Sequence, residues 1–252
     1  MSKRKVIKAI IFFLCLGGLL YSMHNLVTFF INNHRNVNLQ ADLRERVINT
    51  PAPTNENAMP NEADDFVVDF DSLMQINPDS VGWIKFNNNQ VNYPIVQAAD
   101  NDFYLHRDIH GNANDLGTIF MDFRNNRDFT SQNTIIYGHD TPNSTMFGSL
   151  GDALAADFFD DEANNQITII TPEAVLEWQI FSVYTYIVED SFSTPSFSED
   201  EFLAFINVIK QRSVHEFDLD VGTSDRLLTL ITCYGTGNTI WRTVIHAKLV
   251  SE

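Results

Sequence analysis

Cysteine is almost missing from this chain of 252 residues: Cys15 lies in an apolar N-terminal run and Cys233 near the other end. Basic residues are also scarce, 16 Lys and Arg against 33 Asp and Glu, for a formal net charge of −17. Lys3, Arg4, Lys5 and Lys8 all precede the apolar run, so the remainder carries 12 basic and 33 acidic residues, about −21. A body that acidic repels phosphate, which excludes nucleic acid as a partner. Charge is absent altogether from Ala9 to Asn33. About 20 apolar residues suffice to cross a bilayer as a helix. Basic residues before the run and almost none just after it predict a cytoplasmic N-terminus and an outside body. No small-x-small cleavage site follows, and the run is longer than a signal-peptide core, which favours a retained anchor over a cleaved signal. The outside face favours disulfides, yet Cys233 has no partner there, so an intrachain bridge is excluded. A free thiol in such a place is either a small buried apolar residue or a reactive group.

No internal repeat is present. The sequence reads as a cytoplasmic tail (1–8), a transmembrane anchor (9–33), a stalk helix and linker (34–65) and a folded domain (66–252). The stalk helix rests on the apolar stripe Val37, Leu39, Leu43, Val47 and Ile48. Residues 50–65, rich in Pro, Asn and acids, have little to bury and read as a loose connection. In the domain, a short helix over 66–75 is followed by strand-like runs bounded by turn residues: VGWIKF, VNYPIVQ, GTIFMDF, NTIIYGH, QITIIT, AVLEWQIFSVYTYIV, RLLTLITC and TIWRTVIHAKLV. One helix interrupts them. Ser198 and Glu201 form a capping box, and Phe202, Phe205, Ile206 and Ile209 share one face over 198–212. About eight strands with one inserted helix predict a mainly β fold, a closed or nearly closed barrel, because closure removes exposed edges.

Alternate residues of a strand share a face. Thr229, Ile231 and Cys233 therefore point one way, with Arg242, Val244 and His246 together on one face of the next strand. The turn through Gly235 and Gly237 makes these strands antiparallel neighbours. Depending on register, Cys233 and Arg242 can lie near each other on one side of the sheet, where a guanidinium favours a thiolate or a developing oxyanion. The competing reading leaves Arg242 merely snorkelling at the edge. A thiol enzyme also needs an imidazole. His139, at the end of NTIIYGH where a strand opens into a loop, is favoured over His246, which shares the strand of Arg242. His106 and His110 have the spacing of a metal pair on a helix, but no H-E-x-x-H pattern surrounds them and a Gly follows, so no metal and no other cofactor is expected.

The order apolar anchor, Tyr137-Gly138-His139, Thr229-Leu230-Ile231-Thr232-Cys233 and Arg242 resembles the sortase family of Gram-positive bacterial transpeptidases. The similarity spans about residues 66–250, and INPDSVGWIKF, YLHRD, GTIFMDFRN and WRTVIHAKL are similar to class B segments. The resemblance implies a sortase-type closed eight-stranded barrel with peripheral helices, with 66–252 as its catalytic domain, extracellular on a single-pass cell-membrane anchor. It implies that Cys233, His139 and Arg242 converge as catalytic residues. Cys233 would cleave a C-terminal sorting signal after Thr through a thioester. The protein would then be joined to an amine of a cell-wall precursor or a pilin lysine. The partners are thus a surface protein or pilin bearing the signal, an amine acceptor, and the membrane. Leu105, Ile231 and Tyr234 are expected at the substrate groove. Ile231 stands where class B members usually carry Ser, which removes a hydroxyl donor from the groove. A papain-like peptidase is disfavoured, since there Cys precedes His. An anchored surface-binding barrel with an inert Cys233, and a sortase inactivated by Ile231, are the remaining alternatives.

Overall fold

The computed structural model describes residues 3–49, 66–88, 90–141, 144–187, 194–233 and 241–252. The chain divides into two compact units, residues 1–44 and 45–252. The first is helical throughout. Helix α1 runs over Lys3–Val47 without a break, so the predicted anchor and stalk helix are one element. It is long and apolar enough to cross a membrane. Its large apolar side chains, among them Ile10, Phe13, Leu20, Leu26 and Ile31, are exposed. The expected linker over 50–65 lies outside the described residues.

In the second unit, β1 (Ile48–Asn49) pairs with β2 (Val67–Val68). Helix α2 (Phe70–Ile76) follows, capped by the Asp69 side chain, which accepts the Ser72 N–H at 3.0 Å. Eight strands then build the barrel. They are β3 (Ser80–Phe86), β4 (Asn92–Val96), β5 (Phe120–Met121), β6 (Asn133–His139), β7 (Gln166–Ile170), β8 (Val175–Ile187), β9 (Leu227–Cys233) and β10 (Trp241–Ser251). Around the closed sheet the order is β10-β8-β7-β3-β4-β5-β6-β9, with β9 pairing back onto β10. The sequence runs map onto these strands one for one, although GTIFMDF contributes only two residues of ladder. Most pairs are antiparallel; β4–β5 and β6–β9 are parallel.

Strand parity sorts the side chains into two cores. Ile84, Ile95, Ile136, Ile167, Val183, Leu228, Leu230 and Ile245 fill the barrel interior. Phe147 and Leu150, from the segment after β6, join the same interior cluster. Gly138 makes room for this: a Cβ there would lie 2.7 Å from the Phe147 ring. The glycine of Tyr-Gly-His is thus a packing requirement. Outside the barrel, helix α3 (Glu199–Arg212) lays Phe202, Phe205, Ile206 and Ile209 against Ile135, Phe181, Tyr184, Leu227, Ile231 and Val244. Burying four such side chains contributes about 1.5–3 kcal/mol each. At its N-terminus the Glu201 carboxylate accepts the Ser198 N–H at 2.9 Å, as the capping-box pattern predicts.

Candidate active site

The site stands on the outer face of the barrel where β6, β9 and β10 end or begin. His139 closes β6, and Cys233 is its Cα partner across the parallel β6–β9 pair. On the other side of β9 the antiparallel register matches Val244 to Ile231. The ladder ends there; extended two residues beyond its last pair, the same register brings Arg242 level with Cys233. The Thr243 N–H reaches the Thr232 hydroxyl at 2.9 Å, which agrees with this alignment. Neighbouring strands are about 4.8 Å apart, so three adjacent strands bring three functional residue types into one transverse row. Parity gives all three the same face. Ile135 and Tyr137 on β6, Ile231 on β9 and Val244 on β10 belong to the outer cluster under α3, and they share faces with His139, Cys233 and Arg242. The side chain of Cys233 lies outside the described residues. Arg242 is buried and lies opposite Tyr186 of β8.

His139 is held by the chain before it. Its Nε2 sits 2.7 Å from the Leu105 carbonyl, which can only accept, so Nε2 carries a proton. Leu105 was expected at the groove from its place in YLHRD; what the structure adds is its backbone oxygen as the orienter of the imidazole. That carbonyl is itself pressed into place by Gly117. With φ +57°, Gly117 occupies the left-handed region, and a Cβ there would lie 2.7 Å from the Leu105 oxygen and 3.0 Å from the His139 ring. The Tyr104 carbonyl, equally close to that Cβ position, accepts the Thr118 N–H at 3.0 Å. The ring of exposed His106 lies 6.4 Å from that of His139. Nothing in the sequence signals the Leu105–Gly117 brace except the glycine that opens GTIFMDF.

Charge around the row is mixed. Asp140 follows His139 in an isolated bridge to Met146. Partial burial pushes its carboxyl above the usual carboxylate range, and the positive charge of Arg242 works against this. Further down the outer face, Asp122 is fully buried. Burial alone would raise its carboxyl, yet hydrogen bonds from Arg124 and Asn101, with the Arg124 charge, hold it below its ordinary value. Arg124 grips it with two bonds of 2.8 and 2.7 Å, and the Tyr137 hydroxyl donates to it at 3.1 Å. This anchors β5 to β6 two residues from His139.

The other predicted residues fall as follows. Ile231 shares the Cys233 face but is 4 % exposed, packed in the cluster beneath α3. Tyr234 lies outside the described residues. His246, the rival imidazole, is fully buried four residues along β10 from Arg242, among Phe181, Tyr184 and Phe205. Burial pushes it down to about 3, so it stays neutral at ordinary pH.

Known proteins are similar to this chain in sequence and fold. The Sortase domain family matches residues 84–250. Sortase B of Staphylococcus aureus is 36% identical over 183 residues, covering 72% of this chain and 74% of its own. Sortase B of Listeria monocytogenes is 32% identical over 243 residues, covering 94% of each. Among solved structures, a Staphylococcus aureus sortase B–substrate complex superposes with a TM-score of 0.68 at 35% identity, over 72% of this chain and 84% of that one. The chain belongs to the sortase family, with class B as its place within it, and is a cysteine transpeptidase.

Proposed function

We propose that Cys233 is the nucleophile, His139 the proton carrier and Arg242 the oxyanion partner of a membrane-anchored transpeptidase acting on C-terminal sorting signals. The observation that carries this reading is the pairing of His139 with Cys233 across β6–β9, beside a β9–β10 ladder whose Ile231–Val244 register, extended by two residues, brings Arg242 to the same row and face. The Cys233 thiolate attacks the carbonyl carbon of the signal's threonine. The tetrahedral oxyanion is stabilised by the Arg242 guanidinium. Its collapse breaks the C–N bond, and His139 delivers a proton to the departing amine. A thioester remains. An incoming primary amine, deprotonated by His139, attacks the thioester, expels Cys233 and forms a new amide. Atoms balance without any oxidant or metal.

Anchoring by residues 9–33 with an outside catalytic unit is supported by the exposed apolar surface of α1 and the basic flank at Lys3, Arg4, Lys5 and Lys8. The substrate class is a surface protein bearing the signal; the acceptor is a primary amine of a cell-wall precursor or of a pilin lysine. The test is intact mass measurement of the detergent-solubilised protein after exposure to a set of sorting-signal peptides. A hydroxylamine-labile adduct on Cys233, absent from Cys233→Ala, is expected. No adduct from any peptide, together with a Cys233 that resists alkylation in the folded state, would instead fit an inert cysteine in a binding protein. Adding amino-terminal glycine peptides or lysine-bearing pilin segments to the thioester then identifies the acceptor by the mass of the product.

A further inference from the structure

Among the buried titratable groups outside the catalytic row is His246. His246 lies on the same face as Arg242, and its ladder partner Thr229 is on the same face as Cys233. The pair Thr229–His246 therefore lies two same-face steps deeper in the sheet than Cys233 and Arg242, with the pair Ile231–Val244 between. Both deeper residues are fully hydrogen-bonded. The Asn133 amide of β6 donates from Nδ2 to the Thr194 carbonyl at 3.0 Å, which turns its Oδ1 toward Thr229. The Thr229 hydroxyl spends its one hydrogen on that Oδ1 at 2.6 Å. His246 Nδ1, 2.9 Å from the same hydroxyl oxygen, must then be the donor. Nε2 is left as an acceptor, and the Tyr184 hydroxyl stands 3.0 Å away to fill it.

A single direction runs through the whole chain: Tyr184 to His246 to Thr229 to Asn133 to the Thr194 carbonyl. It crosses β8, β10, β9 and β6, the four adjacent strands that carry Tyr186, Arg242, Cys233 and His139. It ends on the segment leading into α3, which the Asn133 N–H also holds through the Pro195 carbonyl at 3.2 Å. Aromatic rings seal it: Tyr184 stacks on the imidazole at 5.6 Å, and Phe205 meets it edge-on. The Arg212 guanidinium lies 5.8 Å over the Tyr184 ring. Among the described residues, no carboxylate bonds to the imidazole. An imidazolium there would need both nitrogens to donate, and the Tyr184 hydroxyl would have to reverse.

We propose that His246 is a positioning residue: as a neutral imidazole protonated on Nδ1, it completes a one-way hydrogen-bond chain that locks β6, β9, β10 and β8 in the register aligning His139, Cys233 and Arg242. The inference rests on the catalytic assignment above. A slip of one residue in any of these pairs would turn a functional side chain to the opposite face. Smaller misplacements also cost rate, since a shift of about 1 Å reaches roughly a hundredfold.

Two measurements on the full-length protein test it. Long-range proton–nitrogen correlation spectra should show one imidazole in the Nδ1–H form, unchanged between about pH 5 and 8. That signal should vanish in His246→Phe. An Nε2–H form, or an imidazole at this position that titrates in that range, would overturn the chain. Kinetically, the rate of Cys233 acylation per folded molecule, at saturating peptide, should fall about tenfold in His246→Phe with KM changed less than about twofold. His246→Gln, whose amide supplies a donor and an acceptor at similar separation, should regain most of the loss. Unchanged acylation per folded molecule in His246→Phe would reduce the residue to a structural role. The alkylation rate of Cys233 by iodoacetamide, read on the same variants, keeps the test independent of substrate. A wild-type protein that alkylates but never forms a thioester would sink the transpeptidase reading alone. An alkylation rate identical in wild type and His246→Phe would sink the positioning role.

Discussion

Two histidines stand on the same outer face of the barrel, His139 at the end of β6 and His246 within β10, and they have opposite surroundings. His139 sits at the rim, 7 % exposed, one nitrogen tied to a backbone carbonyl. His246 is sealed beneath α3, both nitrogens engaged by side chains. The difference teaches what position along a strand does to one chemical group. At a strand end, the preceding loop braces the ring from one side through a backbone carbonyl. In mid-strand under a helix, burial strips the group of charge and turns it into a hydrogen-bonding part of the core.

Replacing each histidine separates these roles. His139→Ala should lower acylation by roughly 10²–10⁴-fold, with a thermal midpoint within about 2 °C of wild type. An acylation rate close to wild type would move the proton-carrying role elsewhere. His246 should dominate a different readout, the acid side of the stability curve. Its folded-state value of about 3 lies below the ordinary 6.5, so the unfolded chain binds a proton that the native protein refuses. Stability from this residue is fully present above about pH 6.5 and is lost as pH falls toward 3, by about 1.4 kcal/mol per pH unit. Urea unfolding of wild type and His246→Gln at several pH values checks this: the variant's curve should be flatter between about pH 6 and 4. Parallel curves would mean that the imidazole charges inside the native fold.

The brace on His139 gives a smaller effect. Gly117→Ala places a side chain in the left-handed region, costing about 1–2 kcal/mol, and drives a methyl against the Leu105 carbonyl and the imidazole. The unfolding free energy from denaturant titration should fall by about that amount, and acylation should fall by about tenfold as the ring moves. A stability loss without a rate loss would show that the Leu105 carbonyl does not set the ring. The smallest change belongs to Ser198→Ala at the α3 cap, far from both rings, which should cost about 2 °C in the thermal midpoint and leave acylation unaltered.

Much of this was legible in the sequence because it depends on local periodicity. The runs NTIIYGH and RLLTLITC become β6 and β9 with nearly the bounds of their apolar patterns; period-two alternation groups Ile231 with Cys233 and Arg242 with Val244, and the Ile231–Val244 register then matches the two faces. The capping box at Ser198 and the stripe from Phe202 to Ile209 define α3 in the same way. What could not be read depends on contacts between distant segments. The β6–β9 pairing that sets His139 beside Cys233 is parallel and closes the barrel, and no turn residue announces it. A backbone carbonyl has no sequence signature, so the Leu105–His139 bond is invisible in YLHRD. Alternation put Ile231 on the correct face without revealing that α3 covers that part of it. His246 drew attention as a candidate base because its strand and face are those of Arg242; only burial distinguishes the two imidazoles.

The β6–β9 pairing also has a temporal meaning. β3 and β7 zip to their sequence neighbours β4 and β8, whereas β6 must wait for β9, with β7, β8 and α3 made in between, much as β3 must wait for β7. Such distant pairings form late, because loop closure costs entropy before any contact repays it. Cys233 therefore comes beside His139 only when one of the long-range seams of the barrel is sewn. A chain emerging through a membrane would carry Cys233 as an ordinary side chain throughout its passage, and chemistry would begin only with completion of the fold.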